Sequence, residues 1–229
     1  MTDIPAVVAT PYPWPISGVI DPARTAVLVI DMQADFCAPG GYMDRMEFDT
    51  TPLRAPIEPI QRVLAAARAA EVTVIHTRQG YRADHADHPQ YKKARNRYHG
   101  AALGADGPSL VRGTPGWEII KELAPAPGEP IVDKRANGAF HGTDLADLLM
   151  TRDIRHLAFC GNTIDVCVHT TLRDANDRGF ECLLLSDCCG CVDPELHAAA
   201  VRMVTIEDGV FGCVATSKNF VAAFAGSKS

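Results

Sequence analysis

Residues 154–187 read IRHLAFCGNTIDVCVHTTLRDANDRGFECLLLSD, and this stretch decides the architecture. The run IRHLAFC is continuously apolar near its end and short, which is the pattern of a strand buried on both faces. A small-residue turn, GNT, follows, then apolar residues at helical spacing over about Asp165–Arg178. ECLLLS (Glu181–Ser186) returns to the strand pattern. Strand, helix and strand at this pitch form a crossover between parallel neighbours.

The same alternation extends in both directions. Towards the C-terminus the sequence predicts a helix at about Pro194–Glu207, a short strand at Val210–Val214 and a helix at Ser217–Phe224. Towards the N-terminus, AVLVI (Ala26–Ile30) is a buried strand, followed by a helix carrying Ile60, Val63, Leu64 and Ala67 on one face. VTVIH (Val72–His76) is a strand, residues from about Thr77 to Gly116 are irregular, and Pro130–Val132 is a strand ending at Asp133 and Lys134. A helix then begins near Thr143, a residue suited to capping. The fold class is therefore α/β, three layers with a mostly parallel sheet covered on both faces. The first twenty residues contain PYPWP, whose prolines interrupt both regular hydrogen-bonding patterns, so residues 1–20 are expected as an arm without strand or helix. Residues 21–229 are expected as one domain.

Composition narrows the function. The chain has 229 residues, 47% of them hydrophobic and 22% charged, with a formal net charge of -6. An acidic surface argues against a nucleic-acid partner, which needs concentrated positive charge. No apolar run reaches membrane-spanning length, and the N-terminus lacks the basic-then-apolar order of a signal peptide, so a cytoplasmic location is expected. No glycine fingerprint follows the first strand, where DMQADF stands instead, so no nucleotide cofactor is expected. The eight cysteines lack paired zinc-ligand spacing and read as free, mostly buried thiols; no metal is expected.

Parallel sheets bind ligands beyond the carboxyl ends of their strands. Asp31, Lys134 and Cys167 each stand just past such an end. A thiolate attacks a carbonyl, a carboxylate shuttles its proton, and an ammonium stabilises negative charge. Cys167 also stands where the first amides of a helix favour a thiolate.

VIDMQADFCAPGGYM (29–43), VDK (132–134) and GNTIDVCVHTTLRDANDRGF (161–180) resemble the isochorismatase-like superfamily of cysteine hydrolases, over residues 20–225. The resemblance implies a six-stranded, Rossmann-like α/β/α fold, no cofactor, and a catalytic trio of Asp31, Lys134 and Cys167. It further implies a cis peptide at Asn162–Thr163 and an oxyanion hole built on backbone N–H groups near Thr163 and Cys167. Within the superfamily the chain looks most like biuret and triuret hydrolases, through PYPWP, GGYM, IHTRQG, GWEII and ANDRGFECLLLSDCCG. The implied activity is hydrolysis of a linear ureide through a Cys thioester: triuret to carboxybiuret and ammonia, or biuret to allophanate and ammonia. Ureidoacrylate or nicotinamide-type amides, and a non-catalytic interaction protein of the same fold, are the alternatives. The implied substrate-binding residues are Gln33, Phe36, Tyr42, Asn137, Phe140, Asn162 and Glu207. A carboxylate at Glu207, where biuret hydrolases carry glutamine, and Asn137 favour the longer triuret chain. The resemblance also implies a homo-oligomer, tetramer or dimer.

Overall fold

The structure, a computed structural model, describes residues 4–95 and 108–225. Strands β1 (Ile4–Val7) and β2 (Trp14–Ile20) form a small antiparallel sheet. The main sheet comprises β3 (Thr25–Ile30), β4 (Thr73–Gln79), β5 (Ile131–Lys134), β6 (His156–Asn162), β7 (Glu181–Gly190) and β8 (Cys213–Ala215). Its order is β5-β4-β3-β6-β7-β8, and every pair is parallel. The chain winds from β3 to β4 and β5, then crosses back to place β6 on the other side of β3. This reversal opens a crevice above β3 and β6, where the first strands of the two halves diverge.

Apolar side chains alternate along the strands to feed two cores. Val27, Val29, Val74, Ala158 and Cys160 face helices Ile57–Ala69 and Ser217–Ala225. Leu28, Ile30, Ile75, Leu157 and Phe159 face helices Leu145–Thr151, His169–Asp177 and Pro194–Val204. The three-layer α/β/α architecture and six-stranded sheet agree with the sequence reading.

Three local readings need correction. The N-terminal segment is not free of regular structure: β2 pairs with β1, and as part of a two-stranded ribbon it accommodates Pro15. Its Trp14 is fully buried on the body of the same chain, edge-on to His156 at 6.0 Å and donating Nε1–H to Glu181 O at 3.1 Å. The strand expected to stop at His76 runs on to Gln79. The helix expected through Glu207 ends at Val204, because Glu207 and Asp208 adopt left-handed backbone with φ of 52° and 57°.

Gly161 holds the crevice together. It lies on β6 with φ 115°, and a Cβ there would stand 2.0 Å from Ile30 O. Only a glycine lets the end of β6 lie against the end of β3. Gly161→Ala is expected to destabilise the protein by about 3 kcal/mol or more through overpacking and a disfavoured backbone. Thermal unfolding monitored by circular dichroism checks this, as a lowered midpoint.

Candidate active site

The end of β3 delivers Asp31, in a left-handed conformation (φ 51°) that turns its side chain across the strand ends. Lys134 is the last residue of β5, two strands from β3, so about 10 Å of lateral sheet separates their backbones. The long lysine side chain spans β4 to close this gap. Its Nζ stands 2.7 Å from Asp31 Oδ2, and both side chains are fully buried. Nζ also donates to Gln79 Oε1 at 2.8 Å and Ala136 O at 3.0 Å, and lies 3.5 Å from Cys167 Sγ. An ammonium has three protons, so these four acceptors share them. Burial opposes the ammonium, but the neighbouring Asp31 and Cys167 outweigh it and hold the Lys134 pKa above its ordinary value.

Cys167 belongs to a π-helical turn, Ile164–Val168, that precedes the helix His169–Asp177. The turn follows a cis Asn162–Thr163 peptide, and Thr163 O accepts N–H groups from both Val166 (3.2 Å) and Val168 (3.1 Å). The thiol is 7% exposed and close enough to Asp31 for the two groups to interact. Burial pushes its pKa up to about 12, against the lowering effect of Lys134, with Asp31 raising it further. The thiolate that a helix terminus would favour thus meets an opposing effect, desolvation, despite the positive charge beside it. A carboxylate beside a thiol can accept its proton.

Sequence reasoning missed two residues of this network. Thr77 Oγ1 donates to Asp31 Oδ1 at 2.5 Å, and Gln79 accepts from Lys134. Both lie on the face of β4 that carries Ile75, two and four residues further along the strand. Continuing the alternation past His76 would have found them.

The remaining expected residues separate into two groups. Phe36 and Tyr42 pack edge to face at 6.2 Å. The nearby Tyr81 phenol is raised to about 12 by burial and then by the charges of Asp87, Tyr42, Cys167 and Tyr91. Tyr81 itself stacks on His88 with ring centroids 3.7 Å apart. Asn137 is exposed on the loop beside Ala136, whose carbonyl holds Lys134.

Four others are not brought to the thiol as ligands. The Gln33 amide is consumed within the protein, donating to Gln79 O (3.0 Å) and Trp117 O (2.8 Å) while accepting from Gln79 N (2.7 Å). Asn162 points to the opposite face of the sheet, donating to Leu53 O at 3.0 Å and Cys37 Sγ at 3.2 Å. Phe140 stacks on Phe180 under the Arg178 guanidinium, on the flank of the helix that Cys167 precedes, while the neighbouring Ala139 N–H donates to Thr171 Oγ1 at 3.1 Å. Glu207 is exposed in the turn before β8, at the amino end of the sheet rather than the carboxyl end.

His76 Nε2–H donates to the Glu129 carboxylate at 3.1 Å on the other face, and His99 lies outside the described residues. Among the described residues, no three metal-ligating side chains converge. All eight cysteines are free and buried.

The Isochorismatase domain model matches residues 25–218. The chain belongs to the isochorismatase family. A cysteine hydrolase from Pseudomonas syringae pv. phaseolicola 1448A superposes with a TM-score of 0.78 at 30% identity, over 97% of this chain and 98% of that one. The ureidoacrylate amidohydrolase RutB of Azorhizobium caulinodans is 35% identical over 93% of this chain and 95% of its own length. RutB of Rhizobium rhizogenes is 34% identical over 92% and 86%. This isochorismatase-family chain is a cysteine-dependent hydrolase of C–N bonds in small amides. No helix among its described residues is long and apolar enough to cross a membrane.

Replacing Lys134 by Met would leave the Asp31 carboxylate buried without its counter-charge. Breaking a buried pair in this way costs about 3–5 kcal/mol. Lys134→Met is therefore expected to lower the denaturation midpoint sharply. Asp31→Asn cannot take the thiol proton and strands the buried Lys134 ammonium in the same way, so it is expected to lower the midpoint too and, in its folded fraction, to lose about 10²–10⁴-fold in kcat, measured by ammonia release.

Proposed function

We propose that this protein hydrolyses the terminal ureido group of a small linear ureide, with ureidoacrylate as the leading substrate. The observation that carries the reading is the thiol of Cys167 set beside a fully buried Asp31–Lys134 pair. The names of relatives that match it over nearly their whole length support ureidoacrylate over the biuret and triuret that its sequence motifs favour. The preference for the longer triuret chain rests on Asn137 and on Glu207, and Glu207 lies at the wrong end of the sheet to meet a ligand of Cys167 in the same chain. Biuret and triuret carry the same terminal carbamoyl nitrogen and belong in the same test.

Asp31 removes the Cys167 proton as sulfur attacks the ureide carbonyl. Backbone N–H groups near Thr163 and Cys167 receive the developing oxyanion, a role whose removal elsewhere costs about 10²–10³-fold in rate. Asp31 returns the proton to the departing nitrogen, so ammonia leaves and the acyl group stays on sulfur. Water, deprotonated by Asp31, then adds to this thioester, releasing the acid and restoring the thiol. Lys134 keeps its charge throughout and balances the negative charge that moves between Asp31, sulfur and oxyanion. Phe36, Tyr42 and Asn137 border the bound ureide. The exposed apolar side chains of Val166, Leu196 and Met203 support assembly into a homo-oligomer.

The test is a comparison of kcat/KM for ureidoacrylate, biuret and triuret, with Cys167→Ala as the control. Ureidoacrylate is expected to be the best of the three, and Cys167→Ala to lose at least about 10³-fold on it. A higher kcat/KM for biuret or triuret would reverse the substrate order and leave the chemistry standing. Full activity in Cys167→Ala would end the covalent reading.

A further inference from the structure

Thr77 makes an unusual pair of bonds to Asp31. Its hydroxyl oxygen accepts the Asp31 backbone N–H at 3.2 Å, and the hydroxyl proton goes to Asp31 Oδ1 at 2.5 Å. The Asp31 N–H is shared with Thr77 O, also at 3.2 Å. A hydroxyl has one proton, so accepting from the backbone fixes its direction of donation towards the carboxylate. All these groups are buried, and in a dry setting a hydrogen bond to a charged acceptor is both strong and strongly oriented. The two carboxylate oxygens therefore have distinct surroundings. Oδ1 faces a fixed donor, while Oδ2 faces Lys134 Nζ, which itself lies 3.5 Å from Cys167 Sγ.

We propose that Thr77 is a positioning residue for the general base, holding Asp31 so that Oδ2, and not Oδ1, exchanges the proton with Cys167 and the leaving nitrogen. The inference rests on the reading above that Asp31 serves Cys167 as its base. Thr77 touches neither sulfur nor substrate in this scheme. It acts by locking the carboxylate about its side-chain torsions, and by steadying the left-handed backbone that aims Asp31 across the strand ends. The titratable groups facing Asp31 are Lys134 from β5 and Cys167 from the π-helical turn, with the Tyr81 phenol beyond them within electrostatic reach of the thiol. Loss of the Thr77 hydroxyl removes a donor that favours the charged carboxylate, so the acid limb of the pH profile has to move upward.

The experiment compares wild type with Thr77→Val, Thr77→Ala and Thr77→Ser. It follows kcat, KM and the pH profile of kcat/KM on the best ureide, and in parallel the pH dependence of Cys167 alkylation by iodoacetamide. Thr77→Val is expected to lose about 10- to 100-fold in kcat, the range of a hydrogen bond to a charged group, with KM changed less than about threefold. Its acid limb should rise by about one pH unit, the equivalent of a tenfold change in the protonation equilibrium. Thr77→Ser keeps the hydroxyl and should restore both rate and limb to within about threefold of wild type. Should Thr77→Val not fold, Thr77→Ala carries the same expectations.

A folded Thr77→Val or Thr77→Ala enzyme with wild-type kcat and an unmoved acid limb would overturn the proposal. So would a Thr77→Ser enzyme as impaired as the valine variant. Alkylation does not depend on the substrate, so an altered alkylation profile in Thr77→Val supports the role of Thr77 even where the ureide assignment fails. Conversely, full activity in Cys167→Ala would refute the underlying reading whatever the Thr77 variants do.

Discussion

The buried ion pair between Lys134 and Asp31 is the constraint on which the site depends. Two opposite charges out of water persist only when their remaining hydrogen-bonding capacity is met, and the protein meets it from several directions. Thr77 serves Asp31 Oδ1, while Gln79 and the Ala136 carbonyl serve Lys134. Gln79 is in turn clamped through its backbone by the Gln33 amide, which also holds Trp117. The pair reaches across β4 from β5 to β3, so it ties three neighbouring strands at the edge where the chemistry takes place.

This arrangement bears on how Cys167 serves as the proposed nucleophile. Burial pushes its pKa up, which disfavours the reactive thiolate form. In the proposed mechanism the adjacent charges make the proton's departure to Asp31 a short move inside a preorganised network, with little reorientation of dipoles. Gly161 and the cis bond that follows Asn162 bring the π-helical turn, and with it the sulfur, to the same place from the other side of the crevice.

Much of this was legible in the chain. Continuous apolar runs such as AVLVI and HLAFC report strands buried on both faces, and their alternation with helical periodicity defines the parallel sheet. Asp31, Lys134 and Cys167 stood out because three complementary groups followed three such runs. Thr77 and Gln79 did not, because polar residues on the site-facing side of β4 interrupt the apolar pattern by which strands are recognised. Residue type misled at Asn162, yet its register did not. Ala158, Cys160 and Asn162 alternate on one face, and the first two belong to the core away from Cys167. Glu207 is a matter of chain direction: it follows a helix that descends from the carboxyl to the amino end of the sheet, which polarity cannot reveal. The Pro-rich start hid β2 because proline excludes a central strand but not a two-stranded ribbon.

In the proposed mechanism Cys167 carries the acyl group between two half-reactions. The most direct measurement adds hydroxylamine to a turning-over enzyme and identifies the products by mass spectrometry. A thioester is intercepted by hydroxylamine even when too short-lived to accumulate, so the N-hydroxy derivative of the acyl group should form in proportion to hydroxylamine, at the expense of the hydrolysis product. Hydrolysis product alone at every hydroxylamine concentration, with no N-hydroxy derivative, would contradict the account.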